Sequence, residues 1–214
     1  MKASRPVLYY IHDPMCSWCW AFRPVWSELQ IQLQAQLPNR LEIIYLLGGL
    51  APDCDMPMPA ETRTMIRRHW QTITQRVPGT VFNDAFWSEC EPRRSTWPAC
   101  RAVIAAAMQL PDDHDTMILA IQQAYYLQAR NPSDDGVLID LAVELGLDAD
   151  RFRADLHAPE TQTALDAQMQ QVQQLGVQGF PSLVLKDGCG IRHIRIDYND
   201  TDNMLQQLAD LLSR

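Results

Sequence analysis

The sequence predicts an α/β protein in which a long helical block interrupts a small β-sheet. Three observations support this fold class. Two short apolar segments flank an amphipathic helix near the N-terminus, a long run of helical pattern follows, and two further strand-like segments and a helix end the chain. The predicted order is therefore β-α-β, a block of helices, and then β-β-α.

The first β-α-β unit is indicated by residues 7–12, 17–37 and 41–47. The first strand ends at Asp13-Pro14, because proline cannot donate a hydrogen bond to a strand ladder. In the helix, apolar side chains recur at spacings of three and four, and Pro24 should kink it. A strand, a helix and a strand over so short a segment predict that the two strands pair in parallel.

Five helices are predicted in the central block, and a hairpin and a helix are predicted after it. The helices are expected over residues 60–76, 98–109, 115–129, 134–145 and 161–175, the strands over 182–186 and 191–197, and the last helix over 204–212. Asp-Gly-Cys-Gly at residues 187–190 is typical of a hairpin turn. Asp148 is typical of a helix N-cap and Gly146 of a helix stop.

Composition and charge exclude several classes of protein. The 214 residues are 47% hydrophobic and 21% charged, which is typical of a globular chain. A count of 26 acidic against 18 basic side chains gives a net charge of −8, which disfavours nucleic-acid binding. No apolar run approaches the ~20 residues that span a bilayer, and the N-terminus lacks a signal-peptide core. We therefore expect a cytoplasmic monomer or homodimer that binds neither nucleic acid nor membrane.

The candidate reactive groups are Cys16 and Cys19, which form a C-x-x-C motif where the first strand gives way to the first helix. Unpaired backbone N–H groups and the helix dipole favour a thiolate there. Cys16 is expected to be the attacking thiol and Cys19 the resolving thiol. The less favoured alternatives are two ordinary helical cysteines or a zinc site, which would need two further ligands.

No metal and no cofactor are expected, because the other cysteines are isolated in the sequence and no two histidines lie close together. Those four cysteines should be dispensable for chemistry: Cys54, Cys90, Cys100 and Cys189. His12, just before the motif, either tunes the Cys16 thiolate or is an ordinary hydrogen-bonded histidine, and the second interpretation is favoured. Arg93 and Arg94 are interpreted as part of a solvated face.

A second candidate element lies far from the first, in the segment that leads to the third strand. Pro181 heads this strand, and a cis Phe180–Pro181 bond would present the Phe180 backbone to whatever lies beside it. Trp18 and Trp20 are candidate substrate contacts together with Phe180, whereas Trp26 is assigned to the core. Gly48 and Gly49 either admit a substrate backbone or turn the chain.

Together these segments resemble the thioredoxin superfamily and, within it, the DsbA-like oxidoreductases of the FrnE type. The resemblance rests on residues 13–20 (DPMCSWCW), Pro24, residues 96–102 (TWPACRA) and residues 177–181 (VQGFP), and it extends over almost the whole chain. It implies a thioredoxin-like fold with a large all-helical insertion between the second and third strands. The thioredoxin-like domain would comprise residues 1–59 and 176–214, and the insertion residues 60–175. Cys16, Cys19 and Pro181 would be the catalytic residues.

The function expected from this resemblance is thiol–disulfide exchange on protein thiols and disulfides, with glutathione as a further candidate partner. The Ser17-Trp18 dipeptide contains no histidine to lower the thiol pKa, which favours a reductase or isomerase over an oxidase. The alternative is a glutathione-dependent transferase or isomerase of the kappa or 2-hydroxychromene-2-carboxylate isomerase type, which typically carries serine where this chain has Cys16. A third class, a binding module without catalysis, is disfavoured by the intact motif.

Overall fold

The computed structural model describes residues 5–111, 113 and 115–213. Along these residues the elements are β1 (Val7–His12), α1 (Ser17–Gln36), β2 (Glu42–Leu47), α2 (Ala60–Arg76), α3 (Phe86–Glu89), α4 (Trp97–Ala107), α5 (Thr116–Tyr126), α6 (Asp135–Glu144), α7 (Ala149–Leu156), α8 (Pro159–Gln174), β3 (Ser182–Asp187), β4 (Gly190–Ile194) and α9 (Thr201–Leu212). The predicted order of strands, helical block and strands is confirmed.

The four strands form one sheet in the order β2-β1-β3-β4. β1 pairs with β2 in parallel, with Tyr9 opposite Ile44, as a β-α-β unit requires. β3 runs antiparallel to β1, with Tyr10 opposite Leu183, and β4 completes the predicted hairpin. β1 is therefore a central strand, and its last five residues are buried.

Each face of the sheet is covered by helices. Leu8 and Tyr10 pack on one face with side chains of α1 and α9, including Phe22 and Leu208. Tyr9 and Ile11 face the other side, where they meet the C-terminal half of α8. Successive side chains of β1 thus pack alternately into two separate apolar layers, and the packing on both faces fixes the position of β1.

The helical block has its own apolar core, which is rich in aromatic side chains such as Trp70, Phe86 and Tyr126. α8 contacts both α4 of this block and β2 of the sheet. The division into a thioredoxin-like domain and an insertion of residues 60–175 stays a proposal. Residues 1–4 and 214 of the proposed thioredoxin-like domain lie outside the described residues. None of the described helices combines the length and apolarity needed to cross a membrane.

The main differences from the predicted elements concern α3, α7 and β4. In addition, α5 ends at Tyr126 rather than at residue 129, and α9 begins at Thr201 rather than at residue 204. α3 and α7 were not predicted as separate helices, since α3 has four residues and α7 buries only Phe152 and Leu156. β4 ends at Ile194 rather than at residue 197, where the chain leaves the hairpin. The predicted N-cap is confirmed: the Asp148 side chain accepts a hydrogen bond from the Arg151 N–H at the start of α7.

Candidate active site

Cys16 lies at the N-terminus of α1, where the chain leaves β1. Its N–H donates to the Asp13 carbonyl oxygen at 3.0 Å, and its own carbonyl accepts from Trp20 N–H at 3.1 Å, which makes it the N-cap of the helix. Cys16 is 7% exposed and Cys19, one turn further on, is 0% exposed. Both are free thiols. The structure therefore brings the two motif cysteines together at the position that the sequence predicts.

The two thiols differ strongly in acidity. A hydrogen bond from the Cys19 thiol lowers the pKa of Cys16, against the opposing effect of burial. Burial raises the pKa of Cys19 well above its ordinary value, and the hydrogen bond to Cys16 raises it further. When the pair loses a proton, Cys16 is therefore the thiol that ionises, and Cys19 keeps its proton and stabilises the resulting charge.

The loop before β3 faces Cys16. Its Phe180–Pro181 bond is cis, Pro181 is buried, and the Cys16 thiol donates to the Phe180 carbonyl oxygen at 3.5 Å. The Phe180 ring packs on Gly48, where an added Cβ would lie 2.0 Å from the ring. At Gly49 an added Cβ would lie 2.2 Å from the Met169 sulfur. These contacts account for both glycines without a substrate backbone.

A cavity of about 200 Å³ lies beside Cys16. Trp18 and Phe180 line it, with apolar side chains that include Met15, Met58 and Met65. Trp18 and Phe180, two predicted substrate contacts, thus lie next to Cys16.

Basic side chains also reach this cavity. Its lining includes His69, Arg93 and Arg94, and within the described residues no carboxylate lines it. Arg93 is paired with Asp134 at 2.6 Å. Arg93 and Arg94 are partly exposed, as the interpretation of a solvated face expects, and they also line the cavity beside Cys16, which the sequence did not predict.

Trp20 lies elsewhere. It lines a groove on another side of α1, stacks on Tyr126 with ring centroids 5.7 Å apart, and donates to the Val81 carbonyl oxygen at 3.1 Å. Since its contacts are with the helical block, the structure does not place this predicted substrate contact beside Cys16. Trp26 is buried and donates to the Tyr45 hydroxyl at 2.9 Å, so its assignment to the core is confirmed.

His12 is buried without a hydrogen-bond partner for either ring nitrogen among the described residues. Its ring stacks on Tyr10 at 5.0 Å and meets Tyr45 edge-on at 5.9 Å. Burial lowers the pKa of His12 from 6.5 to about 3, helped by the nearby Arg23 guanidinium. The favoured expectation of a hydrogen-bonded histidine is wrong: His12 is a neutral ring in an aromatic layer.

Sequence reasoning missed Asp13, a fully buried carboxylate three residues before Cys16. Its oxygens accept hydrogen bonds from the backbone of the motif loop and of the loop after β2, and from the Thr96 hydroxyl of the helical block at 2.7 Å. Cys100 follows one helical turn later, with its sulfur 3.6 Å from the same carboxylate. The segment 96–102 that carried part of the family resemblance is thus the segment that contacts the motif loop.

The remaining cysteines are dispersed. Cys90 donates to the Ala129 carbonyl oxygen at 2.9 Å, Cys54 is half-buried, and Cys189 is exposed in the hairpin turn. In the described ranges no group of three histidine, cysteine or acidic side chains is arranged to hold a metal ion.

A C-x-x-C pair at the head of the first helix, opposite the loop before β3 and under a helical insertion, defines a DsbA-like protein of the thioredoxin superfamily. The family described as Thioredoxin (Thioredoxin_5) matches residues 9–204, and the chain belongs to this family. The predicted family and the predicted fold class are both confirmed.

Two solved structures are similar over nearly their full length. A provisionally assigned protein disulfide isomerase from Nitrosomonas europaea is 31% identical, with a TM-score of 0.83 and 98% of each chain covered. The cytosolic disulfide reductase DsbM from Pseudomonas aeruginosa, in a structure with GSH, is 25% identical, with a TM-score of 0.73 and coverage of 97% of this chain and 100% of that one.

Among curated relatives, the ClpXP adapter protein SpxH of Halalkalibacterium halodurans is 27% identical over 190 residues, which are 86% of this chain. The SpxH of Bacillus subtilis is 24% identical over 176 residues. The chain spans 60% and 56% of the lengths of these two relatives.

Proposed function

We propose that the protein is a thiol–disulfide oxidoreductase that reduces or isomerises protein disulfides with Cys16 and Cys19. The observation that carries this proposal is the asymmetry of the pair: Cys16, at the helix N-terminus, has a lowered pKa, and Cys19, fully buried, has a raised one. A nucleophile that is ionised first and a second thiol that stays protonated are what stepwise disulfide exchange requires.

In the first step the Cys16 thiolate attacks one sulfur of the substrate disulfide. A bond forms between Cys16 and that sulfur, the substrate S–S bond breaks, and the other sulfur leaves as a thiolate that takes up a proton. Cys19 then loses its proton and attacks the Cys16 sulfur, so that the substrate leaves as a thiol. Two electrons have passed from the dithiol to the substrate, and a Cys16–Cys19 disulfide remains.

The substrate contacts proposed are Trp18, Phe180 and Pro181. The Phe180 carbonyl oxygen is 3.5 Å from the Cys16 sulfur, so a polypeptide bonded to Cys16 lies against this backbone. The methionines of the cavity provide flexible apolar contacts that adapt to different sequences, which suits a protein substrate.

Glutathione is proposed as the thiol that returns the Cys16–Cys19 disulfide to the dithiol. It carries two carboxylates, and the cavity beside Cys16 is lined by basic side chains although the whole chain has a net charge of −8. The similarity to DsbM, a cytosolic reductase in a structure with GSH, supports both this partner and a cytoplasmic location.

The proposal is tested by insulin reduction with glutathione as the electron source. We expect turnover by the unaltered protein and a loss of at least about 100-fold in Cys16→Ser, because a serine hydroxyl does not attack disulfides. Cys189→Ser is the matched control, since it removes an exposed thiol outside the motif and should keep full activity.

The proposed mechanism and the glutathione transferase alternative predict different effects of replacing Cys19. Under the proposed mechanism Cys19→Ser traps a mixed disulfide between substrate and Cys16, which is detectable as a reducible adduct by mass spectrometry. Conjugation of glutathione to an electrophile at a rate unaffected by Cys19→Ser, with no insulin reduction, would establish the alternative.

A further inference from the structure

We propose that Asp13 is a positioning residue for the Cys16–Cys19 pair: its buried carboxylate ties the motif loop to the helical block and holds a negative charge that keeps the pair a reductant. The inference rests on the redox role proposed for the two cysteines. It adds a residue whose carboxylate acts on the pair through its charge and through the motif loop that it holds.

Asp13 accepts hydrogen bonds from four donors. Oδ1 accepts from Met15 N–H at 2.8 Å, and Oδ2 accepts from Leu50 N–H at 2.8 Å, Thr96 Oγ1 at 2.7 Å and Cys100 Sγ at 3.6 Å. An ionised carboxylate has about four acceptor positions and no proton to donate. Burial raises the pKa of Asp13, and the four hydrogen bonds oppose that rise. Four donors and no acceptor suit the ionised form, and Asp13 is the carboxylate in this proposal.

No cation balances this charge within the described part of the chain, although Asp13 is 0% exposed. A buried ion held by hydrogen bonds alone is costly, and a neutral side chain would join the same loops at lower cost. The burial of an unpaired charge three residues before the nucleophile points to a use for the charge itself.

The charge acts against the thiolates. It raises the pKa of Cys16 and of Cys19, although for Cys16 the hydrogen bond from Cys19 outweighs it. A pair whose reduced form is stabilised is an oxidant, so a charge that destabilises the thiolate makes the pair a stronger reductant.

The other titratable groups that interact electrostatically with Asp13 in the helical block are neutral at pH 7. Cys100, Tyr125 and Tyr126 face it from the helical block, and burial raises the pKa of each. The adjacent His12 is neutral because its pKa is lowered to about 3. Asp13 is therefore the fixed charge in this group.

The test compares variants that lack the Asp13 charge with a variant that keeps this charge but loses the hydrogen bond between Asp13 and Thr96. Asp13→Asn keeps one acceptor oxygen and loses the charge, and Asp13→Ser keeps a hydroxyl that can accept from Met15 N–H in the same turn. Thr96→Val is the matched control: it removes the hydroxyl that joins the loop to α4 and leaves the carboxylate in place.

Two measurements are made on each variant: the pH profile of Cys16 alkylation, and the ratio of dithiol to disulfide in glutathione buffers at pH 7. We expect both Asp13 variants to move the alkylation profile to lower pH and to raise the dithiol-to-disulfide ratio about tenfold, which is about 30 mV for a two-electron couple. Thr96→Val should change neither readout appreciably.

Failure of this inference is separable from failure of the proposed function. Unaltered protein that forms no Cys16–Cys19 disulfide in these buffers would remove the redox role and this inference with it. Unaltered protein that forms the disulfide, with Asp13 variants whose profile and potential match those of Thr96→Val, would overturn the role of Asp13 alone.

Discussion

At the scale of the residue, the acidity of Cys16 depends most on the thiol proton of the neighbouring Cys19. The Cys19 thiol is the largest cause of the lowered pKa of Cys16, and it acts through a hydrogen bond rather than through a positive charge. The thiol proposed to resolve the mixed disulfide therefore also increases the acidity of the thiol proposed to attack, and one substitution at Cys19 should affect both proposed steps.

This dependence predicts different outcomes for two substitutions of Cys19. Cys19→Ala removes the donor, so the pKa of Cys16 should rise and its alkylation at pH 7 should slow by about tenfold or more, since a hydrogen bond to a charged group contributes roughly 1.5–3 kcal/mol and about 1.4 kcal/mol corresponds to a factor of ten. Cys19→Ser keeps a hydroxyl donor and should slow alkylation less. Iodoacetamide labelling over a pH series, with mass spectrometry to locate the label, measures both. Equal rates in the two variants would show that Cys19 does not act as a donor.

Only part of this chemistry could be predicted from the sequence. Cys16 and Cys19 were predicted because their spacing and their place at a helix start lie within one short segment. The contact between Asp13 and Thr96 joins residues 83 positions apart, and no local pattern reports it. The same holds for Arg94, which lines the cavity beside Cys16 although it lies 78 positions away in the chain.

At the scale of the element, the loop after β2 is shaped by close contacts around a glycine. Gly49 has a φ of +60°, and an added Cβ would lie 2.9 Å from Trp97 Nε1 as well as 2.2 Å from the Met169 sulfur. Trp97 Nε1 donates to the Gly49 carbonyl oxygen at 3.2 Å. The loop therefore joins β2, α4 and α8 at one point.

Gly49→Ala should lower the free energy of unfolding by roughly 2 kcal/mol, because it adds both backbone strain and overlap with these side chains. Gly188→Ala is the matched control: it lies in the β3–β4 turn with open space around it, and it should change stability by less than about 0.5 kcal/mol. Urea unfolding followed by circular dichroism compares them. A similar loss in both variants would contradict the packing described for Gly49.

Local patterns predicted the elements best where periodicity was long. α1 was predicted within a residue because its apolar side chains repeat over the whole element, and β1 was predicted because a short apolar run ends at Asp13-Pro14. α7 was not, since its eight residues hold only two buried side chains, Phe152 and Leu156. β4 was predicted too long because apolar residues continue to Ile196 after the pairing with β3 has ended.

At the scale of the whole molecule, His12 links stability to pH. Its pKa is about 3 in the folded protein and 6.5 ordinarily, so below pH 6.5 the unfolded chain binds a proton that the folded chain does not. This contribution to stability is complete above pH 6.5 and is lost progressively as the pH falls toward 3.

His12→Phe keeps a ring between Tyr10 and Tyr45 and abolishes this titration. Between pH 7 and pH 5 the unaltered protein should lose about 2 kcal/mol more of its unfolding free energy than the variant does. Denaturant unfolding at the two pH values measures the difference. The contributions of carboxylates such as Asp13 to the pH dependence cancel in this comparison, because both proteins contain them. His157→Gln, at an exposed histidine, should keep the slope of the unaltered protein. Parallel slopes for His12→Phe and the unaltered protein would exclude His12 as the source.

The placement of β1 at the centre of the sheet also has a consequence for synthesis. β1 and Cys16 are synthesised long before two of their partners: the strand that covers the second edge of β1 begins at Ser182, and the carbonyl that accepts from Cys16 lies 164 residues later in the chain. A nascent chain therefore carries an open strand edge and an incomplete thiol site until these residues are made. Vectorial synthesis thus delays the environment of Cys16 until residues 180–187 have emerged and paired.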